Sequence, residues 1–168
     1  MIHDVHKRIF LPFDEKQELL FNKQLRPLHA LGCDYLYYLV SDQTSKNKSY
    51  RFCTHEDWID FYYEEKLIDN DPLKRIVEKS NISILPWNQA SYMNQSEKRS
   101  MSGRSAFGLY NGITIVQKYN NKKYIFVLAT ESREHDLARY LLHERSYELK
   151  RLMRGCITVF DEFSCAVA

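Results

Sequence analysis

The chain contains no apolar run approaching the roughly 20 residues that cross a bilayer. Nor does it open with a basic segment followed by an apolar stretch, since Met1 leads into Ile2-His3-Asp4 and further charge, so no secretory signal is read. It has no excess of either charge. Lys and Arg number 24 against 22 Asp and Glu, a net +2, and a balance that even argues neither for nor against nucleic acid. The four cysteines, Cys33, Cys53, Cys156 and Cys165, form no C-x-x-C pair. No histidine stands at zinc-ligand spacing from them, because Cys53 and His55 are only two apart. They read as buried free thiols in a reducing compartment. Signatures of catalysis are missing as well: no G-x-S-x-G elbow, no H-E-x-x-H and no Gly-rich phosphate loop. The expectation is a soluble, cytoplasmic, non-enzymatic protein that needs no metal or cofactor.

What the chain does have is aromatic bulk. It carries 12 Tyr, 9 Phe and 2 Trp in 168 residues, enough to line a cavity as well as fill a core. At that length a single domain over 1–168 is expected, and a domain of about 150 residues buries roughly 70% of its unfolded surface without staples.

Local signals set the order of elements. Asp14 with Gln17 three residues on is a capping box, and Gly32 ends the helix that Pro27 interrupts. Cys33–Val40 and Tyr50–Cys53 read as strands around a polar loop from Ser41 to Ser49. Thr54, with Asp57 in the reciprocal position, is expected to cap a helix through Trp58, Tyr62 and Leu67. Asp71-Pro72 caps and starts the next helix, because proline suits the first helical position. Ile82–Trp87 is a short extended piece, and a further helix begins near Ser96. Gly112–Tyr119 and Lys123–Thr130 flank Asn120-Asn121-Lys122 as a hairpin. A long helix is expected from Glu134 to Arg154, ending at Gly155, with Arg145, Lys150, Arg151 and Arg154 on a solvated face. The segment Cys156–Ala168 suits a strand or a docked coil. The order α-β-β-α-α-β-α-β-β-α points to an α/β (α+β) fold: an α-β-α sandwich in which helices flank an antiparallel sheet. A cavity fits between the sheet and one helical layer.

Trp58 and Tyr62 lie four apart and share a helix face. With Asp71 they supply two donors on apolar bodies and one acceptor. On spacing alone, the two aromatics also suit a plain core, Asp71 a helix cap, and Trp87 an edge seal. The ordered set W-x-x-x-Y, D-P, W, then G-I-T-I and a hairpin ending L-A-T resembles the autoinducer-binding domain of LuxR-type quorum-sensing transcription factors, from about Tyr35 to Glu131. The resemblance implies a PAS- or GAF-like sandwich and an N-acyl homoserine lactone as ligand. It implies that Trp58 donates to the lactone carbonyl, that Tyr62 donates to the amide carbonyl, and that Asp71 accepts the amide N–H. Trp87 would pack on the lactone ring. The acyl chain would lie against Leu36, Tyr38, Tyr50, Ile76, Val77, Ile113, Ile115 and Val127.

Two positions depart from the family pattern. Thr54 stands where some members place a ligand-bonding aromatic, and Val127 where others carry Thr or Ser. Regulators of the family also carry a C-terminal helix-turn-helix, and only Cys156–Ala168 follows Gly155. No specific DNA binding is therefore expected of this chain. A homodimer, or a heterodimer with a LuxR-type regulator, is expected; the alternative role is an interaction protein that pairs with a full-length LuxR-type regulator and inhibits it, with or without ligand.

Overall fold

The computed structural model describes residues 9–11, 13–42, 48–80 and 82–166. Its elements follow the expected order with one strand added in front and the last helix divided in two. β1 (Ile9–Leu11) precedes α1 (Glu15–Leu25), β2 (Tyr35–Asp42), β3 (Lys48–Cys53), α2 (Glu56–Glu64) and α3 (Pro72–Lys79). Then come β4 (Ile84–Pro86), α4 (Gln95–Ala106), β5 (Asn111–Tyr119), β6 (Lys122–Thr130), the short α5 (Leu137–Arg139) and α6 (Ser146–Ala166). The six strands form one sheet in the order β1-β3-β2-β6-β5-β4. Among the described residues only β1 runs parallel to its neighbour; the other pairs are antiparallel. Most of the polar loop expected from Ser41 to Ser49 lies outside the described residues, as does the Cys165 side chain. The ends of that loop, Ser41-Asp42 and Lys48-Ser49, belong to β2 and β3.

The antiparallel strands alternate between two cores. Leu36, Tyr38 and Val40 of β2, Ile113 and Ile115 of β5, and Tyr124, Phe126 and Leu128 of β6 pack with α1, α5 and α6. Tyr35, Tyr37 and Leu39, with Val116 and Ala129, face the opposite way and pack with α2 and α3. Both faces of β2 are buried from Tyr35 to Val40, so that run is apolar and aromatic and does not alternate. The result is the α-β-α sandwich.

Several local expectations hold in detail. Asp14 Oδ1 accepts from the Gln17 backbone at 2.7 Å, and Gln17 Oε1 accepts from the Asp14 backbone at 3.0 Å, completing the capping box. Asp71 caps α3 by accepting from the Leu73 backbone, with Pro72 at the first helical position. Asn120 and Asn121 take φ of 48° and 60°. A two-residue hairpin turn demands this left-handed pair, and Asn tolerates it better than most residues. β6 accordingly begins at Lys122 rather than one residue later.

Three expectations are corrected. Thr54 does not cap α2, whose N-cap is His55. The Thr54 hydroxyl instead accepts from the Leu36 backbone at 3.0 Å, tying the end of β3 to β2. The long final helix is not continuous. After α5 the chain makes a wide turn over Tyr140–Glu144, closed by the Arg145 N–H donating to the Tyr140 carbonyl five residues back. Gly155 does not end α6, which runs on to Ala166. A Cβ there would collide with the side chain of Gln24 on α1, so this glycine serves close helix packing rather than termination. Cys156–Ala166 is thus helix, neither strand nor coil.

Candidate functional site

The second core contains an unusual polar centre. α2 presents Trp58, Ile59 and Tyr62 to the sheet, and the Trp58 and Tyr62 rings lie 5.4 Å apart between centroids. This is the i, i+4 pairing their spacing predicted. Between α2 and α3 the chain passes through a single tight turn, Leu67–Asn70, and delivers Asp71 beneath Tyr62. Asp71 is only 6% exposed, and a carboxylate there requires partners.

It has four. Oδ1 accepts from the Leu73 backbone at 3.0 Å and from Arg104 Nη1 at 3.1 Å. Oδ2 accepts from the Tyr62 hydroxyl and from Arg104 Nη2, both at 2.7 Å. Burial alone would push this carboxyl up. The facing Arg104 charge, its two hydrogen bonds, and those from Tyr62 and Leu73 outweigh burial and hold Asp71 below the usual carboxylate range. Tyr62 moves the other way, raised by burial and then by the adjacent carboxylate. Burial opposes the charge on Arg104 too, but Asp71 more than compensates and the guanidinium stays protonated.

Arg104 comes from α4, and that helix explains how an arginine reaches the interior. Its buried residues are Glu97, Ser100 and Arg104, spaced i, i+3, i+7 along one face. The inward face of α4 is therefore polar, and each member is bonded. Glu97 takes a two-pronged bond from Arg75 of α3. Ser100 donates toward the Leu67 and Asn70 carbonyls at 3.1 and 2.8 Å. Arg104 takes Asp71. Two ion pairs thus clamp α4 onto the start of α3. The Arg104 guanidinium carbon also lies 5.4 Å from the Trp58 ring centre and 5.6 Å from those of Tyr62 and Trp87, a cage of three aromatic faces that favours a cation.

Beside this centre is a cavity of about 80 Å³, walled by Tyr35, Tyr37 and Leu39 of β2, Trp58, Ile59 and Tyr62 of α2, Leu73 and Val77 of α3, and Thr114, Ile125 and Val127 of the sheet. Asp71 and Arg104 close one end. Lys74 and Glu78, paired with each other, stand at its edge with their side chains about one-third exposed.

Of the residues singled out in the sequence, Trp58, Tyr62, Asp71, Val77 and Val127 line this cavity. Trp87 is buried nearby but turns its indole N–H to Thr114 Oγ1 at 3.1 Å. It packs flat on Gly112, where a Cβ would meet the ring at 2.7 Å. Ile76 belongs to the same core without lining the cavity. Leu36, Tyr38, Tyr50, Ile113 and Ile115 face the opposite core, across the sheet, and Thr54 sits at the β3–α2 junction outside the cavity. The sequence did not reveal Arg104, nor Tyr35, Tyr37, Leu39, Thr114 and Ile125 of the sheet, nor Ile59 and Leu73 of the helices. The i, i+3, i+7 spacing of Glu97, Ser100 and Arg104 was the available signal for the first. For the strand residues, the parity of Val127 against its neighbours would have served.

The autoinducer-binding domain family matches the chain over residues 17–150. The chain belongs to that family. No curated protein sequence matches it. Among solved structures of autoinducer-binding proteins, Escherichia coli SdiA superposes with a TM-score of 0.68 at 17% identity, covering 88% of this chain and 62% of that one. A complex of SdiA with octanoyl-rac-glycerol gives 0.65 at 17% identity, covering 88% and 60%. The N-acylhomoserine lactone-dependent LuxR family factor CepR2 from Burkholderia cenocepacia gives 0.65 at 16%, covering 85% and 84%. At such identities the likeness is one of fold, and the chain spans about three-fifths of the SdiA chains' length. Among the described residues no helix is long and apolar enough to cross a membrane. As an autoinducer-binding domain the chain has a ligand-binding, sensory role.

Proposed function

We propose that this domain encloses an acylated amphiphile, an N-acyl homoserine lactone or a close analogue, between the sheet and α2–α4. One observation carries the reading: an apolar cavity is closed at one end by a buried polar centre, Tyr62–Asp71–Arg104. An apolar lining with a few convergent polar groups is the usual composition of a small-molecule site. The Trp58 indole N–H makes no hydrogen bond among the described residues and borders the cavity, which suits a donor to a ligand carbonyl. SdiA's complex with octanoyl-rac-glycerol supports an acyl chain as the common part of such ligands. Pockets for small molecules generally span about 300–1,000 Å³. Admission of an acyl chain therefore moves side chains, and the edge at Lys74 and Glu78 is where the cavity meets solvent.

The test is to express the protein with a panel of acyl homoserine lactones and acyl glycerols, extract the purified protein, and identify retained small molecules by mass spectrometry. Wild type retains at least one acylated compound in near-stoichiometric amount, and Trp58→Phe retains less. Extracts with no acylated compound, or equal retention by Trp58→Phe, contradict the reading.

A further inference from the structure

Resting on that reading of the cavity, we propose that Arg104 sets the ligand class: the head-group end is a donor surface that selects acyl compounds whose head carries acceptors only, an ester or ketone, over those with an amide N–H. A carboxylate has about four lone-pair sites, and all four on Asp71 are occupied by Leu73, Tyr62 and the two Arg104 nitrogens. An amide N–H entering here finds no carboxylate site to accept it. It must displace a two-pronged, buried guanidinium, settle for a neutral hydroxyl oxygen, or go unpaired, and an unpaired buried donor is costly. The nearby hydroxyls are weaker hosts, since Thr114 Oγ1 already accepts from the Trp87 indole.

Donors, by contrast, are in surplus. A guanidinium carries five N–H groups. Arg104 spends two on Asp71 and directs a third at the Met101 sulfur, and its Nε–H has no partner among the described residues. The Trp58 indole N–H is likewise unspent, and its ring lies 5.4 Å from the guanidinium carbon. Both residues line the cavity. A ligand head that carries carbonyl oxygens meets donors at this end of the cavity, while the Asp71–Arg104 pair stays intact.

The experiment compares three octanoyl ligands by isothermal titration: N-octanoyl homoserine lactone, its ester counterpart with the amide NH replaced by O, and its ketone counterpart with CH₂ there. Wild type binds the ester and ketone at least tenfold tighter than the amide. In Asp71→Asn/Arg104→Met, which removes both charges together, the preference disappears or reverses, because the side-chain carbonyl introduced at position 71 becomes available to an N–H. An amide that binds wild type as tightly as the ester overturns this inference and leaves the ligand-binding reading standing. Failure of all three ligands, together with extracts that hold no acylated compound, overturns both. A preference that persists in the double variant removes Arg104 as its cause, and the wild-type ranking alone decides the matter should that variant not fold.

Discussion

Arg104 and Asp71 meet through two parallel hydrogen bonds of 3.1 and 2.7 Å inside the core, with neither side chain more than 8% exposed. Removing one member of such a pair leaves an uncompensated buried charge, which typically costs about 3–5 kcal/mol, whereas removing both is much milder. Arg104→Met and Asp71→Asn should each lower stability by roughly this amount, the amide variant less because it keeps some hydrogen bonds. The double variant should recover a large part of the loss. Urea unfolding of the four proteins gives the coupling energy, and losses that simply add contradict the pairing.

The same pair sets a pH response. Asp71 has its folded pKa below the unfolded value, so its contribution is fully present above an unfolded pKa of about 3.9 and is lost as pH falls through the folded value. Glu97 is depressed likewise, chiefly by its hydrogen bond from Arg75. Stability should therefore hold from neutral pH to about pH 4 as far as these groups are concerned, and fall below it. Asp71→Asn should shallow the acid limb of a plot of unfolding free energy against pH. An acid limb of unchanged slope speaks against an ionised Asp71.

Gly112 admits Trp87 to the sheet. A Cβ there would lie 2.6 Å from the Leu128 carbonyl oxygen and 2.7 Å from the indole. Gly112→Ala should cost about 1–3 kcal/mol through overpacking and shift tryptophan emission as Trp87 is pushed from its place. A variant with wild-type emission and stability would show that the ring does not rest there.

Three thiols should be inert in the native state. Burial pushes Cys33 and Cys53 up to about 12, and Cys156 is raised by burial as well. The thiolate is the reactive form, so iodoacetamide at pH 8 should leave all three unlabelled until denaturant is added, as peptide mapping would reveal. Rapid native labelling of Cys33 or Cys156 would mean that the core around α1 and α6 is open.

The features readable in the sequence are those written in short spacings. Asp71-Pro72, the Asn120-Asn121 turn and the Trp58–Tyr62 pair each depend on residues within a few positions, and each formed as expected. The cavity wall depends on strand parity, and β2 gives no hint of it. Tyr35-Leu36-Tyr37-Tyr38-Leu39-Val40 is buried on both faces, so either set of alternate residues could face α2. Leu36 and Tyr38 were expected there, while Tyr35, Tyr37 and Leu39 occupy the place. Arg104 was hidden for the opposite reason. A helix whose inward face is Glu97, Ser100 and Arg104 looks like a solvated one, because its burial is compensated by partners on α3 and the preceding turn that lie far away in sequence. Gly155 misled because a glycine can serve close packing against Gln24 as readily as helix termination.

The most direct measurement of the central claim is the melting temperature of the wild-type domain, and of Val127→Trp, against acyl-ligand concentration. A ligand that binds only the folded state stabilises by about 2.7 kcal/mol at a hundredfold excess over Kd, which for a domain of this size is a rise of roughly 5–10 °C. Wild type should show that rise with at least one octanoyl ester, ketone or amide, and Val127→Trp, whose indole fills the cavity, should show none. A wild-type melting temperature that ignores every acyl ligand, or an equal rise in Val127→Trp, would contradict a ligand site between the sheet and α2–α4.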